Sequence, residues 1–229
     1  MLYIIGLGLD EESISKKGLE TVKKCKEVYL ENYTVEFPYE IERLEKAIGK
    51  KLLQADRTFV ESFEILDKAK NKTVALLVYG SPLTATTHIS LIEEAEKRKV
   101  KYEIIYNGSV FDAVGETGLQ IYKFGKVTSI PNFKADSFLD AIKENQKIGA
   151  HSLILIDIGM KFTDALERME KFLGKNKIVV CSRLGTRESR IFYGTIENLI
   201  NEDVKAPFCF IVPGKMHFVE EEVLKRFMV

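Results

Sequence analysis

The chain has 229 residues, of which 45% are hydrophobic and 10% aromatic, and its 34 Lys and Arg residues are balanced by 34 Asp and Glu residues. This composition is that of a globular protein and excludes intrinsic disorder, collagen and coiled coil. A formal net charge of zero leaves no large positive surface for a nucleic-acid backbone, so neither RNA nor DNA is expected as the main partner.

The three cysteines, Cys25, Cys181 and Cys209, are too few and too scattered for a disulfide framework. No Cys, His, Asp and Glu cluster has metal-ligand spacing, so no metal is predicted. The first apolar run ends at Gly6 without a preceding basic region, and no stretch of 18 apolar residues occurs. We therefore expect a cytoplasmic protein that is neither exported nor associated with a membrane.

Short β-branched runs alternate along the chain with stretches of helical period, which predicts an α/β fold with largely parallel, doubly covered sheets. The predicted strands are Leu2–Ile5, Glu27–Leu30, Thr73–Val78, Tyr102–Ile105, Lys126–Ile130, Ser152–Ile156, Lys177–Cys181 and Phe208–Val212. The predicted helices are Ser15–Lys24, Tyr39–Ile48, Thr58–Ala69, Thr86–Arg98, Val110–Leu119, Ser137–Ile148, Thr163–Leu173 and His217–Phe227.

Three glycines, Gly115, Gly118 and Gly125, interrupt the helical pattern after the fourth of these strands. We place a domain boundary there and predict two α/β domains, residues 1–110 with a mainly parallel sheet and residues 111–229 with a mixed sheet. Small-molecule sites are common between two such domains, so a ligand cleft is expected at the boundary.

The first candidate binding motif is Gly6-Leu7-Gly8-Leu9, directly after the first strand. A dinucleotide fingerprint would need a third glycine where Glu11 stands, and the Asp10-Glu11-Glu12 run would repel a pyrophosphate. A neutral or cationic ligand such as S-adenosylmethionine, which carries a sulfonium and no phosphate, is more compatible with this turn. A plain tight turn with no ligand explains the motif alone equally well.

Three further segments combine glycines with short polar residues at strand ends. Tyr79 to His88 follows the most hydrophobic strand of the first half, and ligands bind at the carboxyl ends of strands in open parallel sheets. Thr86 and Thr87 are equally good N-caps for the next helix, a structural role that needs no ligand. Asn107 to Lys126 is too rich in glycine for a simple packing helix. Ile211 to Phe218 contains a strand end and a Pro-Gly turn.

In this order, Gly6 to Leu9, Pro82 to His88, Ala113 to Gly125 and Val212 to His217 strongly resemble the diphthine synthase family, within the tetrapyrrole-methylase-like class of S-adenosylmethionine methyltransferases. The resemblance implies a two-domain homodimer with the cofactor between the domains. It also implies the substrate: the family methylates the amino group of a 3-amino-3-carboxypropyl arm on a histidine of translation elongation factor 2, giving diphthine on the route to diphthamide.

The family's cofactor contacts carry over to positions in both predicted domains: Leu9, Ser81, Thr84, Ser109, Val110, Ile156, Leu184 and Phe208. Two of them depart from the family pattern, which generally has Asp where Ser81 stands and often has His where Phe208 stands. Losing an acid beside a cationic ligand should weaken its attraction unless the contact is made mainly by the backbone.

Methyl transfer from a sulfonium requires alignment and exclusion of water more than acid–base machinery. The sequence singles out no catalytic residue, and His88, Asp112 and Glu116 are the candidates for a general base. The alternatives are a methylase of the same class acting on a tetrapyrrole or RNA, an NAD-dependent oxidoreductase, and a non-enzymatic module that binds the translation factor.

Overall fold

The computed structural model describes residues 1–229, apart from the side chain of Lys171. The chain divides into two compact units, Met1–Val110 and Phe111–Val229. Each unit is an α/β assembly with its own sheet, which confirms the predicted fold class.

The first unit contains a parallel sheet with the strand order β3-β2-β4-β1-β5. The strands are β1 (Leu2–Gly6), β2 (Glu27–Glu31), β3 (Leu53–Ala55), β4 (Val74–Val78) and β5 (Tyr102–Ile105). Every residue of β4 is buried, as expected for a strand covered on both faces of a parallel sheet.

Helices cover both faces of this sheet, and a separate apolar cluster fills each face. They are α1 (Lys16–Lys24), α2 (Ile41–Ile48), α3 (Arg57–Glu61), α4 (Glu64–Asn71), α5 (Ile89–Lys97) and the short α6 (Val110–Ala113), which crosses into the second unit. Good capping fixes the start of α1, because the Ser15 side chain accepts a hydrogen bond from the Gly18 N–H.

The second unit contains a mixed sheet with the strand order β6-β7-β10-β8-β9. Its strands are β6 (Thr128–Ile130), β7 (Ser152–Ile156), β8 (Ile178–Ser182), β9 (Arg190–Gly194) and β10 (Phe208–Val212). Only the β6–β7 pair is parallel among the described strand pairs of this sheet. The helices are α7 (Ser137–Lys147), α8 (Phe162–Leu173), α9 (Ile196–Leu199) and α10 (Phe218–Leu224).

Several predicted elements differ from the structure. The strands β3 and β9 were not predicted; both are edge strands, and β3 has only three residues, so neither shows a strong apolar pattern. The helix predicted over Thr58–Ala69 is divided, because Phe63 adopts a left-handed backbone with a φ of 65°. The helix predicted from Thr86 begins instead at Ile89.

Candidate functional site

Three of the sequence motifs lie together at one edge of the parallel sheet. They follow β4, β1 and β5, which are adjacent and parallel, so their carboxyl ends meet. Beyond the strands the chain continues to pair: the N–H of Gly8 donates to the carbonyl of Gly80 at 3.1 Å, and the N–H of Gly80 donates back at 2.9 Å. The first two motifs are therefore joined by backbone hydrogen bonds.

Glycine is required in this pairing because the backbones approach too closely for a side chain. A Cβ on Gly6 would lie 2.6 Å from the carbonyl oxygen of Gly80, a backbone atom that could move only if the paired turns separated. Gly8 has a φ of 76°, and a Cβ there would lie 2.6 Å from the Cβ of Ser13. The first turn can therefore pack this closely against its neighbours only with glycine at these two positions.

Asn107 joins the third motif to the first. Its amide nitrogen donates to the carbonyl of Gly6 at 3.1 Å and to the carbonyl of Ser13 at 2.9 Å. Its amide oxygen accepts from the N–H of Gly108 at 2.8 Å, which fixes the turn that precedes Ser109. The sequence marked the Asn107 segment as unusual for its glycines, but this bracing role could not be inferred from it.

The structure brings the five candidate cofactor contacts of the first unit to this edge. Ser81 and Ser109 are buried, whereas Leu9, Thr84 and Val110 are partly exposed. The Leu9 carbonyl accepts a hydrogen bond from the Tyr79 hydroxyl at 3.0 Å, which ties the first turn to the second.

His88 anchors the second motif. Its Nδ1 lies 3.0 Å from the carbonyl of Pro82, which can only accept, so this nitrogen carries the proton. Thr86 donates its hydroxyl to the same carbonyl at 3.0 Å and is therefore not the N-cap of α5 that the sequence suggested. The Nε2 atom of His88 is buried and has no hydrogen-bond partner among the described residues.

The remaining candidate contacts lie together at one edge of the second sheet. Strand β10 is antiparallel to both of its neighbours, so its first residue, Phe208, pairs with Ser182 at the end of β8. The same end of β10 lies beside the end of β7, where Ile156 stands. Leu184 is buried just beyond β8.

The backbone around Leu184 is held in an unusual conformation. Arg183 has a φ of 50°, and its side chain donates to the carbonyl of Ala206 at 2.8 Å while its N–H donates to the carbonyl of Pro207 at 2.9 Å. Arg183 also pairs with Glu188. These contacts fix the turn after β8 against the segment that enters β10.

A buried carboxylate organises the glycine-rich segment of the second unit. Glu220 is fully buried and accepts hydrogen bonds from the N–H of Gln120 at 2.9 Å and from the N–H of His217 at 2.6 Å. It also contacts His151 Nε2 at 3.0 Å and pairs with Lys123. Burial alone would raise the pKa of Glu220. The hydrogen bonds lower it by more than burial raises it, and the resulting pKa is about 2.

His151 in this cluster is neutral. Its Nδ1 accepts a hydrogen bond from the N–H of Gly214 at 2.8 Å, so the proton is on Nε2 and is donated to Glu220. Burial lowers the pKa of His151, and the hydrogen bond to Glu220 only partly offsets this effect. The cluster joins positions about 100 residues apart and was not predicted from the sequence.

Among the described residues, no group of three or more His, Cys, Asp and Glu side chains is placed to hold a metal ion. Over the same residues, no helix has the length and apolar character needed to cross a membrane.

The family model of the tetrapyrrole (corrin/porphyrin) methylases matches residues 1–200. The chain therefore belongs to the tetrapyrrole methylases.

Individual proteins that are similar to this chain identify its family within that class. The diphthine synthase of Methanococcus maripaludis is 37% identical over 249 residues, covering 98% of this chain and 98% of that protein. The diphthine methyl ester synthase of Schizosaccharomyces pombe is 37% identical over 268 residues, covering 100% and 95%. A crystal structure of a diphthine synthase matches with a TM-score of 0.92 at 36% identity, covering 99% and 95%. The chain is thus a methyltransferase of the diphthine synthase family, which confirms the resemblance inferred from its motifs.

Proposed function

We propose that the chain transfers methyl groups from S-adenosylmethionine to the amino group of the 3-amino-3-carboxypropyl arm on a histidine of translation elongation factor 2, giving diphthine. The observation that carries this proposal is the joining of three glycine turns at adjacent strand ends, in a chain whose full length matches diphthine synthases. The full-length match also disfavours the tetrapyrrole and RNA substrates that the sequence left open.

The first-unit edge fits this cofactor in two respects. Gly6 and Gly8 allow the first two turns to pair closely, which holds the backbone next to Leu9 and Ser81 at one strand end. The adjacent Asp10, Glu11 and Glu12 would repel a phosphate, a group that S-adenosylmethionine does not carry. We propose that the cofactor contacts are Leu9, Ser81, Thr84, Ser109 and Val110 in the first unit and Ile156, Leu184 and Phe208 in the second.

When bound, S-adenosylmethionine supplies an electrophilic methyl group on a positively charged sulfur. The chain's own residues have to align the acceptor amine with it and exclude water, because a well-oriented approach of about 3–3.5 Å accounts for much of such catalysis. The backbone brace of Asn107 and the paired turns at Gly8 and Gly80 serve alignment, since they hold the binding surface before any ligand arrives.

The acceptor nitrogen must lose its proton before it attacks. Of the three candidate bases, His88 is buried, and its Nδ1 donates a hydrogen bond to the Pro82 carbonyl. Asp112 and Glu116 both lie on the surface, and Glu116 accepts a hydrogen bond from Ser189 at 3.5 Å. Neither arrangement identifies a dedicated general base. Transfer of the proton from the acceptor nitrogen to solvent is sufficient for the reaction.

Calorimetric titration of the chain with S-adenosylmethionine, and separately with NAD, tests the cofactor assignment. We expect saturable binding of S-adenosylmethionine and of its demethylated product, with no binding of NAD. Binding of NAD alone would overturn the assignment in favour of an oxidoreductase.

Replacing Ser81 by Asp is expected to change the affinity for S-adenosylmethionine by less than about 0.5 kcal/mol, which is roughly a twofold change in Kd. The reason is that the turn around Ser81 contacts its neighbours mainly through the backbone, as the Gly8–Gly80 pairing shows. Calorimetry on both chains measures the difference. A tenfold gain, about 1.4 kcal/mol, would instead show that charge at this position attracts the cofactor.

We also propose a homodimer, in line with the resemblance. Ile121 is 47% exposed and Tyr122 is 81% exposed, so the Ile121–Phe124 segment presents apolar surface that a partner subunit would cover. Light scattering is expected to give twice the chain mass of 26.1 kDa. Tyr122→Glu should shift the protein toward the monomer, whereas Phe133→Glu, at another exposed aromatic residue, should not. A monomer of the unchanged chain at micromolar concentration would refute the dimer.

We place the protein in the cytoplasm. All three cysteines are free and buried in the structure, which suits a reducing compartment, and the proposed substrate is a translation factor.

A further inference from the structure

An aromatic cluster lies beside the first glycine turn and is not among the expected cofactor contacts. It consists of Phe37, Tyr39 and Tyr79, all in the first unit and all partly exposed. Phe37 meets each tyrosine edge-on with ring centroids 5.5 Å apart, and the two tyrosines are 6.4 Å apart and tilted by 43°. The three rings form a continuous wall, and the Tyr79 hydroxyl fixes it to the Leu9 carbonyl at 3.0 Å.

The wall has acidic neighbours. Asp10 and Glu11 follow Leu9 directly, and both lie close enough to Tyr39 to help raise the pKa of its phenol, although burial is the largest cause and Tyr79 the next. Asp10 is held in place because its side chain accepts a hydrogen bond from the Glu12 N–H at 3.0 Å. Glu11 is within 3.5 Å of Arg43.

The Tyr39 hydroxyl is also unusual. Its oxygen is buried and has no hydrogen-bond partner among the described residues. A buried hydroxyl without a partner is destabilising, so a small shift of the ring that brings it to an N–H group of a ligand would be favoured. The rings, the carboxylates and this hydroxyl thus converge beside the turn that carries Leu9.

We propose that the wall of Phe37, Tyr39 and Tyr79, together with Asp10 and Glu11, binds the cationic nitrogen of the acceptor arm. Aromatic faces and carboxylates are the groups that attract ammonium and quaternary ammonium ions. This inference rests on the proposed function, because it concerns the acceptor of the same methyl transfer.

The reaction explains why rings suit this acceptor better than hydrogen bonds alone. In each transfer the nitrogen lone pair forms the new C–N bond, the electrons of the broken C–S bond stay on sulfur, and the proton lost from the ammonium goes to solvent. The nitrogen has one N–H group fewer after each step, yet each product is a cation. Ring faces and carboxylates attract each cationic form, before and after every transfer, whereas the Tyr39 hydroxyl can bond only the species that still carry N–H.

Steady-state kinetics test the proposal with elongation factor 2 that carries the unmethylated arm, at saturating S-adenosylmethionine. Tyr39→Leu, which removes the ring, and Asp10→Asn, which removes the charge but can still accept from Glu12, are each expected to raise the acceptor KM at least about fivefold. Tyr39→Phe should recover most of the loss caused by Tyr39→Leu. Glu42→Gln is the charge control on the exposed face of α2 and should leave the acceptor KM unchanged.

Calorimetry on the same variants separates the acceptor from the cofactor. We expect the Kd for S-adenosylmethionine to stay within about twofold of the unchanged chain, whereas a loss confined to that Kd would assign the wall to the sulfonium and overturn the proposal. An unchanged acceptor KM in both Tyr39→Leu and Asp10→Asn would overturn it as well.

Tetramethylammonium chloride provides a test that does not depend on the folding of any variant. It should inhibit the unchanged chain competitively with the acceptor, and sodium chloride at the same concentration should not. Equal effects of the two salts would contradict the proposal. If the unchanged chain transfers no methyl group, the proposed function fails; shifts of the Tyr39 ring protons on adding tetramethylammonium would then still show whether the wall binds a cation.

Discussion

Replacing Gly6 by alanine is expected to weaken S-adenosylmethionine binding at least about tenfold, or roughly 1.4 kcal/mol. The new Cβ would lie 2.6 Å from the backbone oxygen of Gly80 and 3.0 Å from the Cβ of Asn107, so the paired turns must separate. Because that pairing positions both Leu9 and Ser81, the whole proposed contact surface of the first unit would shift. Calorimetric titration measures the loss.

The matched control is Gly108→Ala in the neighbouring turn. No heavy atom lies within 4 Å of a Cβ at Gly108, and its backbone does not require glycine. We expect this variant to keep the affinity and the melting temperature of the unchanged chain. Equal affinities of the Gly6→Ala and Gly108→Ala variants would show that the paired turns do not form the cofactor site.

Replacing Glu220 by glutamine is expected to cost about 3 kcal/mol of folding free energy, at the lower end of the range for breaking a buried ion pair. The amide removes the negative charge opposite Lys123, and its NH₂ group cannot accept all the hydrogen bonds that the carboxylate receives from Gln120, His217 and His151. Urea denaturation measures the free energy. The exposed Glu222 on the same helix is the control, and Glu222→Gln should change stability by less than about 0.5 kcal/mol.

The same carboxylate predicts the direction of the pH dependence. The pKa of Glu220 is about 2 in the folded chain, against an ordinary value of 4.5. Its contribution is therefore fully present above pH 4.5 and is lost as the pH falls toward about 2. The lowered pKa of His151 acts in the same direction below its ordinary value of 6.5. The melting temperature should fall on acidification, and it should fall less steeply in Glu220→Gln; parallel curves would contradict this role.

The sequence predicted those parts of the fold that short-range patterns specify. The buried strands β1, β4 and β10 are continuous apolar runs followed by glycine turns, so their positions could be predicted. The strand β9 could not, because Arg190–Gly194 is an edge strand with partly exposed residues and its place depends on pairing with β8.

The contacts that hold these segments in place could not be predicted from the sequence for a similar reason. Asn107 bonds to Gly6 and Ser13 across about 100 residues, and Glu220 bonds to Gln120 across a comparable separation. Nothing local distinguishes these side chains from ordinary surface residues. The wall of Phe37, Tyr39 and Tyr79 likewise forms only when the loops after β2 and β4 fold beside each other.

Mass spectrometry of elongation factor 2 tests the proposed function most directly. The substrate is elongation factor 2 that carries the unmethylated 3-amino-3-carboxypropyl arm, incubated with this protein and S-adenosylmethionine. We predict that the modified histidine peptide gains methyl groups, that fragmentation places them on the amino nitrogen, and that Gly6→Ala strongly reduces the gain. A peptide mass that stays unchanged, while the protein demonstrably binds S-adenosylmethionine, would contradict the proposed substrate.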